Sequence, residues 1–318
     1  MFYRQNGFSS NVLLILIQSG IHPWFLHEYL LETNSTKSSN GYISANKDYV
    51  CEEEWYKELK KRLQSQPDAI VGEIGLDGAR WVEVDDDEND DTETTQAAML
   101  DSQETNNNKY IKDKSKESIW NRKRVLACPM DLQRKAFENQ LYLATELQRP
   151  VSIHVVRAWG ELFDSFDTVR ERMKQKYIVE DAQYLHDETV EQLSKREKPP
   201  KRLLLPPKIY FHAFSGKEGV LPSLLSACAK GNIDPVDDVY FGFPPAIPNF
   251  YAPKTPSIMR KIGINQSLIE TDLEDASCAW GDLITGAEFI ANALDLDVAE
   301  VASRTYANAE NFYFGSAK

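Results

Sequence analysis

The sequence predicts an α/β fold with a parallel sheet, and three observations carry that expectation. The chain holds six short apolar runs, several of which end in polar or ionisable residues, stretches of helical period lie between them, and the chain has 318 residues. Parallel neighbours need a crossover of a dozen residues or more, so β-type runs alternating with helical stretches are what such a sheet requires. The length suits one α/β barrel of about 250 residues with insertions, or two ordinary domains.

Taken in order, the first run is Val12–Ser19, leading into Gly20-Ile21-His22-Pro23. It follows Arg4 and superficially resembles a leader segment. No small-residue cleavage site precedes His22-Pro23-Trp24, however, and six successive β-rich residues are read as a buried strand. The second run, Ala69–Ile74, leads into Gly75-Leu76-Asp77; the third, Val151–Val156, contains His154; the fourth, Lys208–Phe211, leads into His212. Val239–Phe243 is the fifth, and Ser267–Ile269, leading into Glu270-Thr271-Asp272, is the sixth. Six strands are two short of a closed eight-stranded barrel.

Leu132–Gln148 places Phe137, Leu141, Ala144 and Leu147 at spacings of three and four, which predicts an amphipathic helix closed by Pro150. Val298–Phe312 carries a similar stripe and is expected as a terminal helix packed outside the barrel. The whole chain, 1–318, reads as one barrel domain with two insertions. Residues 81–124 contain Asp85-Asp86-Asp87-Glu88 and few apolar residues, a composition expected to give a mobile, disordered acidic loop. Residues 174–207 mix charge with Tyr177, Ile178, Tyr184 and Leu185 before Lys198-Pro199-Pro200-Lys201, so a helical part and an extended end are expected.

Bulk composition narrows the function classes. A hydrophobic content of 42% is enough for a core, and no apolar run approaches the ~18 residues of a membrane span. The formal charge of −13 argues against a broad phosphate-gripping surface, although much of it lies in the acidic segment. Cys51, Cys128, Cys228 and Cys278 show no paired spacing, so neither a zinc knuckle nor a disulfide framework is signalled, which suits a reducing cytoplasmic or nuclear setting.

Strand ends on the carboxyl side of a parallel barrel build its active site, so ionisable residues closing apolar runs are candidates by position. Glu73, His154, His212 and Asp272 are such residues. Two imidazoles and two carboxylates from separate strands are what a divalent-metal hydrolase needs, because the ion brings the pKa of bound water toward neutrality.

Val71-Gly72-Glu73-Ile74-Gly75-Leu76-Asp77, Gln140-Leu141-Tyr142-Leu143-Ala144 with Pro150-Val151-Ser152-Ile153-His154, His212-Ala213-Phe214-Ser215-Gly216 and Ile269-Glu270-Thr271-Asp272 resemble, in order, the signatures of the TatD family of metal-dependent hydrolases. Gly20-Ile21-His22-Pro23-Trp24 and Ala307-Asn308-Ala309-Glu310-Asn311-Phe312 resemble its flanking landmarks. The resemblance implies a TIM-type (β/α) barrel and a magnesium-dependent deoxyribonuclease with 3′-to-5′ exonuclease activity. Manganese or zinc would be alternative ions. It implies Glu73 as a carboxylate shared between one or two divalent ions, His154 and His212 on one ion, Asp272 on the other, and His22 on the substrate side. Catalytic roles would fall to Glu73 and Asp272.

The sequence departs from the family pattern in four places. The His-x-His pair of the family's first strand is absent, and the match begins at the third strand, which implies an incomplete barrel lacking two β/α units and one depleted ion site. Gly78-Ala79-Arg80-Trp81 replaces the family's aromatic continuation; Leu273-Glu274-Asp275 adds negative charge after Asp272; and Arg157 lies three residues after His154 instead of two. These departures resemble a divergent fungal branch. The expected substrate is DNA or another phosphoester. The alternative is a weak or inactive relative kept as an interaction protein, with the acidic segment contacting a protein partner. Amide hydrolysis on the wider amidohydrolase barrel is a third reading.

Overall fold

A computed structural model of the chain describes residues 18–24, 26, 52–84, 123–126, 128–187, 202–273, 277 and 279–315. The elements are β1 (Gln18–Ser19), α1 (Glu52–Ser65), β2 (Ile70–Asp77), β3 (Trp81–Val84), β4 (Lys123–Leu126), α2 (Met130–Glu146), β5 (Val151–Val156) and α3 (Trp159–Asp187). They continue with β6 (Ile209–His212), α4 (Val220–Ala229), β7 (Val239–Gly242), α5 (Thr255–Ile262), β8 (Ser267–Leu268), α6 (Ala279–Leu294) and α7 (Val298–Phe314). Among the described residues, one parallel six-stranded sheet runs β1-β2-β5-β6-β7-β8, the order of an α/β barrel traced strand by strand.

The six predicted runs fall on these six strands. Of the first, Val12–Ile17 lies outside the described residues, and Gln18–Ser19 pairs with Ile70–Val71. The predicted helix over Leu132–Gln148 is α2, which starts two residues earlier, at Met130, and stops at Glu146. Gln148 takes a left-handed backbone with φ 53°, which an α-helix cannot continue. Both ends of the expected acidic loop are ordered: Trp81–Val84 and Lys123–Leu126 pair antiparallel, Trp81 opposite Leu126. Residues 85–122 lie outside the described residues. In the second insertion α3 runs on through Asp187, and Leu205 is fully buried; 188–201 lie outside the described residues.

The sheet has two different faces. Val71, Ile74, Leu76, Val151, Ile153, Val155, Ile209, Phe211, Val239 and Phe241 point outward and pack with Phe137, Leu141 and Ala144 of α2 and Leu162, Phe166 and Val169 of α3 in one large core. The alternate residues point inward, as the period of two dictates. Ile70, Tyr210, Tyr240 and Leu268 form an apolar inner tier around the fully buried Phe312. Glu73, His154 and His212 lie further along the same faces of their strands, toward the carboxyl ends.

Phe312 corrects the expectation for the terminal helix. Its start does join the outer layer through Val301, but its end turns onto the inner face. The reason is polar as well as apolar. Asn308 donates to the Ile264 and Ser267 carbonyls at 2.7 and 2.9 Å, giving carbonyls at the β8 end of the sheet a partner. Asn311 donates to Tyr240 Oη at 2.6 Å, and the fully buried Lys208 ammonium donates to the Asn311 carbonyl and side chain, capping the helix end with a cation. These are the residues of the Asn-x-x-Asn-Phe landmark. No described helix is long and apolar enough to cross a membrane.

Candidate metal centre

Register puts the site together. In the sheet His154 is the Cα partner of both Gly75 and His212, so the two imidazoles rise at one level on neighbouring strands. β2 carries an irregularity between Val71 and Ile74, and Gly75 approaches the His154 backbone so closely that any Cβ would collide with its carbonyl. Beyond the strands, Arg157, Ala213 and Asp272 all adopt left-handed backbones with φ of 51°, 45° and 58°. Non-glycine residues rarely hold this conformation, and here three of them turn the chain at the rim of one site.

Glu73 is the centre. Its Oε1 lies 3.2 Å from His154 Nδ1, 3.5 Å from His22 Nε2 and 3.8 Å from His212 Nε2. Asp272 Oδ1 lies 2.8 Å from His212 Nε2. The three histidines therefore face one carboxylate, while Asp272 meets His212 from the other side. Burial alone would raise the Glu73 pKa, but hydrogen bonds with His154 and His22 and the field of His212 outweigh it and hold the carboxyl well below the usual range.

Each of the two strand histidines has a second carboxylate behind it. Asp77 Oδ2 lies 3.4 Å from His154 Nε2, and Glu270 lies against His212 Nδ1. An ionised carboxylate only accepts, so it fixes the proton on the nitrogen it faces: Nε2 of His154 and Nδ1 of His212. His154 Nδ1 and His212 Nε2 turn toward Glu73, and their lone pairs would serve an ion once the protons they share with that carboxylate are displaced. Carboxylates set behind imidazoles in this way are the usual support of metal-ligating histidines.

His22 is different. By distance alone, donor atoms of His22, Glu73 and His154 all fall within 4.8 Å of one another. Yet His22 Nδ1 accepts the Trp24 backbone N–H at 3.1 Å, so in the neutral ring the proton sits on Nε2 and points at Glu73. This arrangement makes His22 a hydrogen-bond donor to Glu73 rather than a lone-pair donor to an ion.

The carboxylates are themselves anchored. Asp77 accepts from Trp24 Nε1 at 2.6 Å and from the Ala79 and Arg80 amides at 2.7 and 3.1 Å; burial would raise its pKa, but these bonds with that to His154 bring it to about 2. Glu270 accepts from the Ala213 amide at 2.8 Å and from the Tyr210 hydroxyl, in a space that exists because Gly242 has no side chain. Desolvation opposes charge on both rings, but the facing carboxylates win: His154 is raised, and His212 raised well above the usual imidazole value. The site thus demands positive charge, and a divalent ion meets that demand by displacing the protons.

Helix α2 fixes the two loops. Gln140 Oε1 accepts the Ile21 N–H at 2.6 Å and its amide donates to the Ile21 carbonyl at 3.1 Å, holding the backbone next to His22 as a strand neighbour would. One heptad earlier, Gln133 does the same for Asp77, accepting at 2.7 Å and donating at 3.1 Å.

The profile described as TatD related DNase matches residues 9–314. The chain belongs to that family. Within the TatD family, its similarity to the Cut9-interacting protein scn1 of Schizosaccharomyces pombe is 27% identity over 220 residues, covering 62% of this chain. The chain spans 55% of that relative's length. Among solved structures it resembles an uncharacterized amidohydrolase from Saccharomyces cerevisiae, with TM-score 0.54 and 13% identity over 94% of this chain and 80% of that one. At this identity the likeness concerns the fold, a TIM-type barrel. YJJV, a TatD homolog from Escherichia coli K12, aligns with TM-score 0.45 at 16% identity, covering 94% of this chain and 75% of that one.

Asp77, Glu270, Trp24, Tyr210, Gln133 and Gln140 carry contacts that the reading of ligand types alone passes over. Period two was the available signal: Asp77 stands four residues after Glu73, and Glu270 and Tyr210 two before Asp272 and His212, all on the inward face.

Proposed function

We propose that this TatD-family chain is a metal-dependent hydrolase of phosphoester bonds, with DNA as substrate and a 3′-to-5′ exonuclease mode. The observation that carries the reading is the pair of buttressed imidazoles, His154 backed by Asp77 and His212 by Glu270, both turned toward Glu73. Glu73, His154 and His212 would hold the ion, with Asp272 at its open side. Nitrogen and carboxylate donors together accept magnesium, manganese or zinc, of which magnesium is the proposed ion. When bound, the ion supplies a Lewis acid and a water ionisable near neutral pH.

The chain's own residues do the rest. Asp77 and Glu270 keep the protons on the far nitrogens, so the near ones stay available. His22 donates to Glu73 and fixes its orientation, a role on the rim next to the substrate. Asp272, exposed beside His212, would take a proton from attacking water.

The test is metal content and Mg²⁺- or Mn²⁺-dependent degradation of DNA by wild type and Glu73→Ala. The expected outcome is that wild type binds a divalent ion and degrades DNA, and that Glu73→Ala does neither. Wild type that binds no divalent ion and leaves DNA intact would end the enzymatic reading.

A second reading has its own support. The relative matched over 220 residues is named for its interaction with Cut9, which favours a weakly active or inactive scaffold that binds a protein partner. The acidic insertion 81–124 would be its contact, and the cytoplasm or nucleus its setting. A wild type that binds the ion tightly without turning over any phosphoester is the result this reading expects.

A further inference from the structure

The metal centre is ringed by carboxylates. Glu73, Asp77, Glu270 and Asp272 all lie within contact distance of its histidines, so an anionic substrate meets repulsion on approach unless a cation on the rim receives it. The structure places one such cation with unusual care. The guanidinium of Arg80 lies over the Trp24 ring, 4.6 Å from its centroid. That ring stands 6.0 Å from the His154 imidazole and 5.3 Å from His22, edge-on to both. Arg80 is therefore one indole away from a proposed metal ligand.

Three contacts fix this arrangement, and all three run to Asp77. Its Oδ2 holds the Trp24 indole N–H at 2.6 Å, its Oδ1 holds the Arg80 backbone N–H at 3.1 Å, and its other neighbour is His154 Nε2. The carboxylate that orients the imidazole also sets the platform and the base of the arginine. The guanidinium itself makes no hydrogen bond or ion pair with any described residue; seated over the Trp24 ring, it keeps its N–H donors available as far as the described residues go. A planar, preorganised fork of donors beside a hydrolytic centre is the geometry that receives two oxygens of one phosphate.

We infer that Arg80, stacked on Trp24 and tethered through Asp77, is the phosphate-binding residue of this site, gripping a non-bridging pair of oxygens on the substrate. The inference rests on the phosphoester reading above and goes beyond it by assigning the residue that recognises the substrate. Arg157 is also exposed at this rim, but among the described residues its side chain stacks on no ring and has no tether of this kind. The acid-rich surroundings explain why one well-placed arginine matters in a chain whose net charge is −13. Lysine would not serve equally: its ammonium is a point charge without a plane to stack.

The test uses the full chain loaded with Mn²⁺ and reads three quantities in wild type, Arg80→Ala and Arg80→Lys: Mn²⁺ affinity by calorimetry, affinity for inorganic phosphate, and hydrolysis of bis(p-nitrophenyl) phosphate. Arg80→Ala is expected to weaken phosphate binding about tenfold or more, as loss of a charge-assisted bidentate contact does, and to raise KM in proportion while Mn²⁺ affinity stays at the wild-type value. Arg80→Lys is expected to recover part of the loss. Phosphate affinity and KM unchanged in Arg80→Ala would overturn the assignment while leaving the hydrolase reading intact. A parallel fall in Mn²⁺ affinity would also overturn it, by showing that Arg80 supports the site's structure. A wild type that hydrolyses nothing yet binds phosphate through Arg80 would uphold the assignment and sink the hydrolase reading; one that neither hydrolyses nor binds phosphate would sink both.

Discussion

His154 and His212 stand side by side on adjacent strands, each with a carboxylate behind it, but the two carboxylates answer to different neighbours. Asp77, behind His154, is tied outward, to Trp24, to the loop bearing Arg80 and to Gln133 of α2. Glu270, behind His212, is tied inward, to Tyr210 and the Ala213 amide, and Tyr210 in turn packs on Phe312 with ring centroids 5.6 Å apart. On the proposed function, one half of the site would therefore couple the ion to the substrate rim, and the other would couple it to the barrel floor. The difference shows how a single ligand plan can serve recognition on one side and stability on the other.

The largest effect is expected from breaking the floor. Phe312→Ala removes a fully buried ring from the inner tier and is expected to cost about 3–5 kcal/mol of stability. Denaturant unfolding would measure that loss. Metal affinity in the variant should fall through the His212 half, and an unchanged unfolding midpoint would show that α7 does not hold the floor.

Comparing the two carboxylates directly is the next sharpest test. Asp77→Asn and Glu270→Gln are each expected to lower divalent-metal affinity by roughly 10–100-fold, the usual effect of removing a carboxylate behind a ligating histidine. Only Asp77→Asn should also weaken phosphate binding, because only Asp77 tethers Trp24 and Arg80. Equal losses of phosphate affinity in both variants would erase the distinction between the halves.

Much of this architecture is legible in the sequence, and particular residues show why the rest is not. The strand runs are visible because each outward face is continuous hydrocarbon, and Glu73, His154, His212 and Asp272 are visible because an ionisable residue at such a run's end is anomalous. Asp77 and Glu270 stand inside the same motifs, yet their role depends on which histidine nitrogen they face, and that is fixed only by packing. Phe312 reads as one more apolar position of an amphipathic helix; that it enters the inner tier follows from Asn308 and Asn311 finding partners across the sheet. Trp81–Val84 is the opposite case, a short β-rich run hidden by the acidic composition that follows it.

The smallest effect lies in the outer layer, away from both halves. Glu146 of α2 meets Lys176 at 2.7 Å and Lys60 at 3.0 Å; burial would raise its carboxyl, but these partners lower it below the ordinary value. Because the folded-state pKa is the lower one, the contribution is fully present above the unfolded carboxyl value of about 4.3 and is lost as pH falls through the folded value. Glu146→Gln should cost at most about 1 kcal/mol at neutral pH, and the gap from wild type should close on acidification through that window. Denaturant midpoints at neutral and acidic pH measure it; a gap that widens in acid would contradict the sign.

The claim that two buttressed imidazoles hold an ion at Glu73 is tested most directly by X-ray absorption on the zinc-loaded protein. The account predicts a first shell at about 2.0–2.1 Å with imidazole scattering from two histidines. That signal should fall to one in His154→Ala and to one in His212→Ala, and stay at two in His22→Ala. An all-oxygen shell in wild type, or loss of an imidazole in His22→Ala with none lost in His212→Ala, would contradict it.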